Sequence, residues 1–330
     1  MDIISASTYI LIGLFLLIVS ANFFIDATAN IALQFRIPPL IIGLVIVGFA
    51  TSAPEIIVGI EAAWQNKIDL AIGNAIGSNI ANIGLILGIT ALFLSPIIIK
   101  SVAIKKIYML MFLTMFIPLA LMKHESNLSH YDGFILLLCL VISFFILKKI
   151  AATIDSNDPV NSQFSEELLE ADNKNKMKAF TILIISLVAL LVGAHVLVLG
   201  AVAIAEQLEI SDLIIGLTIV AVGTSLPEIA ASAASIMKNK ADIAIGNVIG
   251  SNMFNMLAVL GIPAIIQDLP VSKLNPDLFI RDIAVMFFLT VMLAIMLFGP
   301  KRVKLTKTKG AFLLAFFAGY QYFIYLNITG

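Results

Sequence analysis

Thr51-Ser52-Ala53-Pro54-Glu55 interrupts an apolar stretch that runs from Pro39 to Trp64. The pattern returns as Thr224-Ser225-Leu226-Pro227-Glu228, 173 residues further on and in an equally apolar setting. The same offset carries Gly43 onto Gly216, Asp69 onto Asp242, Gly73-Asn74 onto Gly246-Asn247 and Gly77-Ser78-Asn79 onto Gly250-Ser251-Asn252. It also carries Asn82 onto Asn255 and Gly88 onto Gly261. About half of the positions between Leu40 and Ile89 equal their partners without a gap, which marks an internal duplication.

Around these motifs the chain is too apolar for water. Hydrophobic residues make up 60% of the 330 positions and charged residues 12%, against about 45–50% and 25% in soluble domains. The solvent for most of the surface is therefore lipid. A net charge of −1 gives no reason to expect nucleic acid as a partner. The single Cys139 cannot form an internal disulfide and reads as a small core residue. The first apolar run lacks a basic leader and a small-residue cleavage site, and it is too long for a signal peptide, so it reads as a retained membrane helix.

A helical span needs about 20 apolar residues. On that ruler ten segments are predicted: 5–34, 39–64, 69–95, 104–122, 130–148, 178–208, 212–237, 242–267, 278–299 and 308–327. Continuous apolarity favours helices over a barrel, whose strands alternate. Residues 151–177 form a polar linker with Asp155, Asp158, Glu166, Glu167, Glu170 and Asp172, whose spacing is not that of a calcium-binding loop. The expected fold is an all-α integral membrane protein with ten transmembrane helices. Residues 1–150 are the first five-helix repeat, with the duplicated motif at 43–88, and residues 178–330 the second, with the motif at 216–261.

Cytoplasmic loops hold an excess of Lys and Arg. Four of the 20 basic residues, Lys67, Lys123, Lys273 and Arg281, fall on the side of the N-terminal tail, and the others fall on the opposite side. Both termini are thus expected outside the cytoplasm and the 151–177 linker inside it. Because five is odd, the second half enters the membrane inverted. Inverted repeats are a signature of secondary transporters, with the site near the midplane where the repeats meet.

The residue types fit such a site. An acid at helix centre costs at least about 2.5–3.5 kcal/mol, so Glu55 and Glu228 should face protein or cargo. Pro54 and Pro227 have no N–H to offer the carbonyls of Ala50 and Gly223, which frees main-chain oxygen at membrane depth. Asn74, Ser78 and Asn82 recur every four residues on one helix face, and Asn247, Ser251 and Asn255 repeat them. Thr51, Ser52, Glu55, Ser78 and Asn82, with their second-half counterparts Thr224, Ser225, Glu228, Ser251 and Asn255, make an all-oxygen cage carrying two carboxylates. Hard cations such as Ca2+ are bound this way, whereas zinc would bring His or Cys; hydroxyls and carbonyls serve Na+ equally. Asp69 and Asp242, each just before a predicted span, are expected to cap helices. Asp26 is expected near an interface, and His195 in the core of its span.

These motifs, in both copies, closely resemble the calcium/cation antiporter superfamily, and within it the compact prokaryotic sodium/calcium exchanger branch. The resemblance covers the whole length. It implies long, tilted first and sixth helices that slide against a core of spans two, three, seven and eight, exposing one site to each side in turn. It implies Glu55 and Glu228 as central calcium ligands, with Thr51, Ser52, Ser78, Thr224, Ser225, Ser251 and the carbonyls of Gly48 and Ala221 completing divalent and sodium positions. The substrates would be Ca2+ and Na+ or H+, in the plasma (inner) membrane, with no cofactor and with the monomer as functional unit. Members of the branch often carry aspartate where Asn255 stands; here both copies end in asparagine. Other readings of the paired acids are an exchanger for another cation, an intramembrane hydrolase with a general acid and base, and an ion channel.

Overall fold

The computed structural model describes residues 2–35, 37–99, 103–125, 127–152, 176–208, 221–270, 276–298 and 304–329. Helices dominate: α1 (Ile3–Gln34), α2 (Leu40–Thr51), α3 (Ala53–Trp64), α4 (Leu70–Leu94), α5 (Ile104–Glu125) and α6 (His130–Ala152). They continue with α7 (Lys176–Gln207), α8 (Ala221–Thr224), α9 (Leu226–Met237), α10 (Ala241–Ile266), α11 (Pro276–Leu297) and α12 (Lys307–Thr329). Among the described residues, seven helices are long and apolar enough to cross a membrane, or eight if α2 and α3, bent by 42° at Ser52, count as one span. Helix boundaries follow the apolar runs to within a few residues. Most of the linker and residues 212–220 of the seventh predicted span lie outside the described residues.

Burial sorts the helices into inner and outer layers. The apolar windows of α4 and α10 are 78% and 83% buried, against 22% for α1 and 28% for α7. The two helices with the polar stripes therefore form the centre, and α1 and α7 lie outside. Two separate hydrophobic clusters hold this arrangement. The larger gathers α2 to α6 with α10 to α12; the smaller joins α1 and α7 to Ile42, Val47, Ala50, Ala231, Ala234 and Ile243. Alanine supplies nine of the nineteen buried residues described in the second, a share that fits helices held together by close packing in an apolar solvent.

Glycines set the closest approaches. A Cβ on Gly13 would come within 2.5 Å of the Leu197 nitrogen and one on Gly200 within 2.6 Å of the Ala6 carbonyl, so α1 and α7 run antiparallel with their backbones in contact. At the centre, a Cβ on Gly246 or Gly250 would strike the main chain of Leu40 or Leu44, which seats α10 directly on α2. Gly133 of α6 packs against Gly261 of α10, and Gly310 of α12 packs against Gly88 of α4. The last helix of each half thus covers the stripe-bearing helix of the other half.

Several features depart from the sequence expectations. Helix α10 begins after Lys240, and the helix at Ile68 begins after Lys67, so those lysines occupy the capping positions. Asp69 and Asp242 are instead the second residues of their helices, and the Asp242 carboxylate stands in the first turn, at the positive end of the helix dipole. The reason lies in the preceding turns. Asn66 and Asn239, at φ 57° and 60°, end α3 and α9 in the left-handed region. Lys67 and Lys240 donate back to Ala62 and Ser235, while Asn66 and Asn239 donate to Ala63 and Ile236, the paired bonds of a Schellman ending. His195 is exposed on α7, because the buried face of that helix carries Gly193 and Gly200 and His195 points away from it. Ile97–Ile98 and Lys304–Leu305 pair as short antiparallel strands, which the apolar pattern gave no reason to expect.

Candidate functional site

The polar motifs create the site by breaking a helix. Ser52 and Ser225 have φ, ψ of −81°, 6° and −86°, 0°, the bridge conformation in which a helix can stop and restart. Pro54 and Pro227 then occupy the first turn of α3 and α9, where a missing N–H costs nothing. Glu55 and Glu228 follow directly, in the first turn, where unpaired N–H groups and the helix dipole favour a negative charge. The sequence motif is therefore a recipe: hydroxyl residues at the break, proline to restart the helix, and a carboxylate at its positive end.

Both glutamates are buried, 2% and 1% exposed, and they lie within electrostatic range of each other. Ser52 Oγ donates to Glu228 Oε1 at 3.5 Å, which carries the break of one half onto the carboxylate of the other. Glu55 Oε2 and Glu228 Oε2 are buried acceptors without a hydrogen-bond donor, and so is Asn255 Oδ1. No ion pair among the described residues involves either glutamate. Two buried carboxylates without a cationic partner are strongly unfavourable as charged groups, and a cation placed between them would supply the missing charge.

The stripes divide into structural and open members. Asn74 Nδ2 donates to the Glu55 carbonyl at 2.9 Å, and Asn247 Nδ2 makes the equivalent contact to the Glu228 carbonyl at 3.5 Å. Asn247 also donates to Ser232 Oγ at 3.0 Å and accepts from Thr51 Oγ1 at 3.1 Å. Both ends of its amide are engaged, so it ties the break of one half to that of the other. Thr51 Oγ1 also lies 3.0 Å from the Val47 carbonyl. One turn on, Ser251 Oγ donates to the Gly48 carbonyl at 3.3 Å, which puts both predicted oxygens at the same place. Gly48 can serve because α2 reaches α10 without a side chain between them.

The last stripe members cross-link the halves. Asn82 Nδ2 donates to Asn252 Oδ1 at 3.1 Å, and Asn255 Nδ2 donates to Asn79 Oδ1 at 3.2 Å. These contacts are reciprocal under the 173-residue offset, as contacts across a twofold axis are. Asn82 and Asn255 also each open a π-helical turn, Asn82–Ile86 and Asn255–Val259, and a third such turn, Gly43–Val47, precedes Gly48. Such turns are frequent at functional sites.

Of the predicted site residues, Thr51, Ser52, Gly48, Glu228, Ser251, Asn82 and Asn255 are joined by hydrogen bonds that cross between the halves. Glu55 joins them electrostatically. Ser78 and Ser225 are buried on the same elements, Thr224 closes α8, and Ala221 opens it. Asp26 is not in the site; it pairs with Lys238 at 2.8 Å, tying α1 to the end of α9. Asn247 and Asn74 were visible as stripe members but not as supports of the glutamates. Among the described residues no three His, Cys, Asp or Glu side chains cluster. The donor set is oxygen throughout, with two acids, hydroxyls, amides and main chain. It suits a hard cation as cargo.

The sequence profile of the sodium/calcium exchanger protein family matches residues 5–149 and 178–326. CaxA of Alkalimonas amylolytica is 40% identical over 321 residues, covering 97% of this chain and 98% of that protein. Inner membrane protein YrbG of Escherichia coli is 36% identical over 292 residues, 88% of each. The solved structure of the sodium-calcium exchanger NCX_Mj soaked with Na+ and Sr2+ superposes with a TM-score of 0.77 at 32% identity, over 96% of this chain and 97% of that one.

Proposed function

The chain belongs to the sodium/calcium exchanger protein family, in the prokaryotic branch of the calcium/cation antiporters, and from that premise we propose that it exchanges Ca2+ for Na+ or H+ at one site between Glu55 and Glu228. The family is one of transporters, so the hydrolase reading of the two acids falls away. The observation that carries the proposal is the pair of buried carboxylates from opposite halves, each with an oxygen that no donor satisfies. A divalent cation neutralises both at once, and monovalent ions can replace it on hydroxyls and carbonyls.

Ten spans in two inverted repeats, 1–150 and 178–330, give the alternating access this exchange needs. The site then lies at mid-membrane, with the 151–177 linker cytoplasmic and both termini outside. Three observations support the arrangement. The asparagine contacts are reciprocal, the terminal helix of each half packs on the stripe helix of the other, and α1 and α7 run antiparallel. The separate alanine-rich cluster under α1 and α7 supports the movement of that pair against the rest. An inner-membrane location accords with the name of YrbG.

The test is uptake of radiolabelled Ca2+ into proteoliposomes of the purified protein, with sodium and proton gradients imposed separately. Uptake driven by one gradient identifies the coupling ion. Failure of both gradients to drive uptake overturns the proposal.

A further inference from the structure

Asparagine amides can turn over, exchanging donor and acceptor, and only a fixed neighbour decides which end faces a ligand. At the centre of this molecule that neighbour is a thioether. Asn79 Nδ2 lies 3.5 Å from Met286 Sδ, and Asn252 Nδ2 lies 3.8 Å from Met111 Sδ. All four side chains are 0% exposed. A thioether sulfur accepts hydrogen bonds and cannot donate one. Each asparagine therefore presents its NH2 to sulfur and its carbonyl oxygen to the other side.

The consequence runs one residue further. Asn79 Oδ1 meets Asn255, which must answer with Nδ2, and does so at 3.2 Å. Asn252 Oδ1 meets Asn82, which answers with Nδ2 at 3.1 Å. Once Nδ2 is committed, the oxygen of Asn82 and of Asn255 is turned to the remaining side. For Asn255 that oxygen is buried and has no donor, on the helix whose preceding turns place Ser251 on the Gly48 carbonyl and Asn247 on the Glu228 carbonyl. The orientation has been set in advance for a cation, and a flipped amide would instead present N–H groups to positive charge.

We propose that Asn79 and Asn252, held by the sulfurs of Met286 and Met111, are positioning residues: they lock Asn255 and Asn82 with oxygen facing the transported cation. The proposal rests on the exchange reading above and adds residues that do not themselves touch cargo. It assigns the third residue of each Gly-Ser-Asn motif a role distinct from that of the serine before it. It also explains why one methionine from the equivalent helix of each half, Met111 of α5 and Met286 of α11, reaches the paired asparagine of the opposite half.

A double-mutant cycle on Ca2+ uptake in proteoliposomes tests it. Asn79→Leu is expected to raise the KM for Ca2+ about tenfold with kcat within about twofold, the scale of one oriented ligand bond. Asn255→Ala should raise KM comparably, and the double variant should be no worse than Asn255→Ala alone, because Asn79 acts only through Asn255. Met286→Leu keeps the volume and removes the acceptor; it should raise KM about twofold to threefold, and not at all in the Asn255→Ala background. Additive effects, or an unchanged KM in Asn79→Leu, would overturn the proposal while leaving the site intact. An unchanged KM in Asn255→Ala would remove Asn255 from the site and this role with it. If Asn79→Leu does not fold, Asn252→Leu with Asn82→Ala runs the same cycle from the other half.

Discussion

Asn247 holds the carbonyl of Glu228 just as Asn74 holds that of Glu55, but the two amides are not equally engaged. Asn247 adds bonds to Ser232 and Thr51, so it joins α10, α9 and the end of α2. Removing a partner from buried polar groups costs about 1–3 kcal/mol per group left unsatisfied. Asn247→Leu should therefore destabilise by about 3 kcal/mol and Asn74→Leu by about 1 kcal/mol. Thermal unfolding in detergent reads the difference; the reverse order would contradict this account of the break.

Glu55→Gln and Glu228→Gln keep the shape of the first turn and remove one charge from the cargo cage. Each should reduce Ca2+ exchange below about 1% of wild type while the protein still folds, because divalent affinity follows the number of charged ligands. Each variant also removes one buried charge, so unfolding temperature should not fall. Uptake near the wild-type rate by either would refute the assignment.

Gly250→Val tests how α10 seats on α2. Its Cβ would meet the Leu44 carbonyl, a main-chain atom that cannot rotate aside. Overpacking against rigid neighbours costs about 1–3 kcal/mol, and the upper end is expected here. The loss should appear as a lower unfolding temperature together with weaker cation affinity, since Gly48 would be pushed away from Ser251. A stable variant with normal KM would mean that the helices can separate there without consequence.

The turn after α9 supplies an independent test away from the site. Asn239 occupies the left-handed region, which β-branched residues avoid at a cost of about 1–2 kcal/mol. Asn239→Val should lower stability by about that amount, and Asn239→Gly should leave it nearly unchanged. Transport KM should be unaffected in both. Equal behaviour of Val and Gly would speak against the Schellman ending.

Voltage offers a test of stoichiometry. Expelling Ca2+ against an assumed ten-thousandfold gradient costs about 5.5 kcal/mol, and moving its two charges against about 100 mV adds about 4.6. One monovalent ion entering down an assumed tenfold gradient and the same potential returns about 3.7 kcal/mol, so about three are needed for each Ca2+. Exchange should then move net charge, and an imposed potential in vesicles should change its rate. Voltage-insensitive uptake would exclude three-for-one coupling.

How far the sequence reached depends on which residues are compared. The break at Ser52 and the burial of both glutamates followed from apolar runs and from the duplication, because helix length and proline chemistry are local properties. The support given by Asn74 was half visible: its face was evident, its partner was not. Contacts such as Asn252 with Met111 or Asp26 with Lys238 join helices far apart in the chain, and no periodicity carries that information. His195 was misjudged because hydropathy does not separate inward from outward faces in an apolar run surrounded by lipid; on this helix Gly193 and Gly200 carry that information. Asp69 and Asp242 were misplaced by two residues because the turn before them is set by the left-handed asparagines, whose duplication was itself the available signal.

Helices α1 and α7 each contain 32 residues. At about 1.5 Å per residue such a helix is about 48 Å long, while the hydrocarbon core is about 30 Å thick. Leaning is one way for the pair to bring its apolar length within that thickness, and the glycine seam lets both lean together. Their angle is therefore set partly by the surrounding lipid. A thicker bilayer stands them more upright and a thinner one lays them flatter, so acyl-chain length joins ion gradients and voltage among the forces acting on this machine.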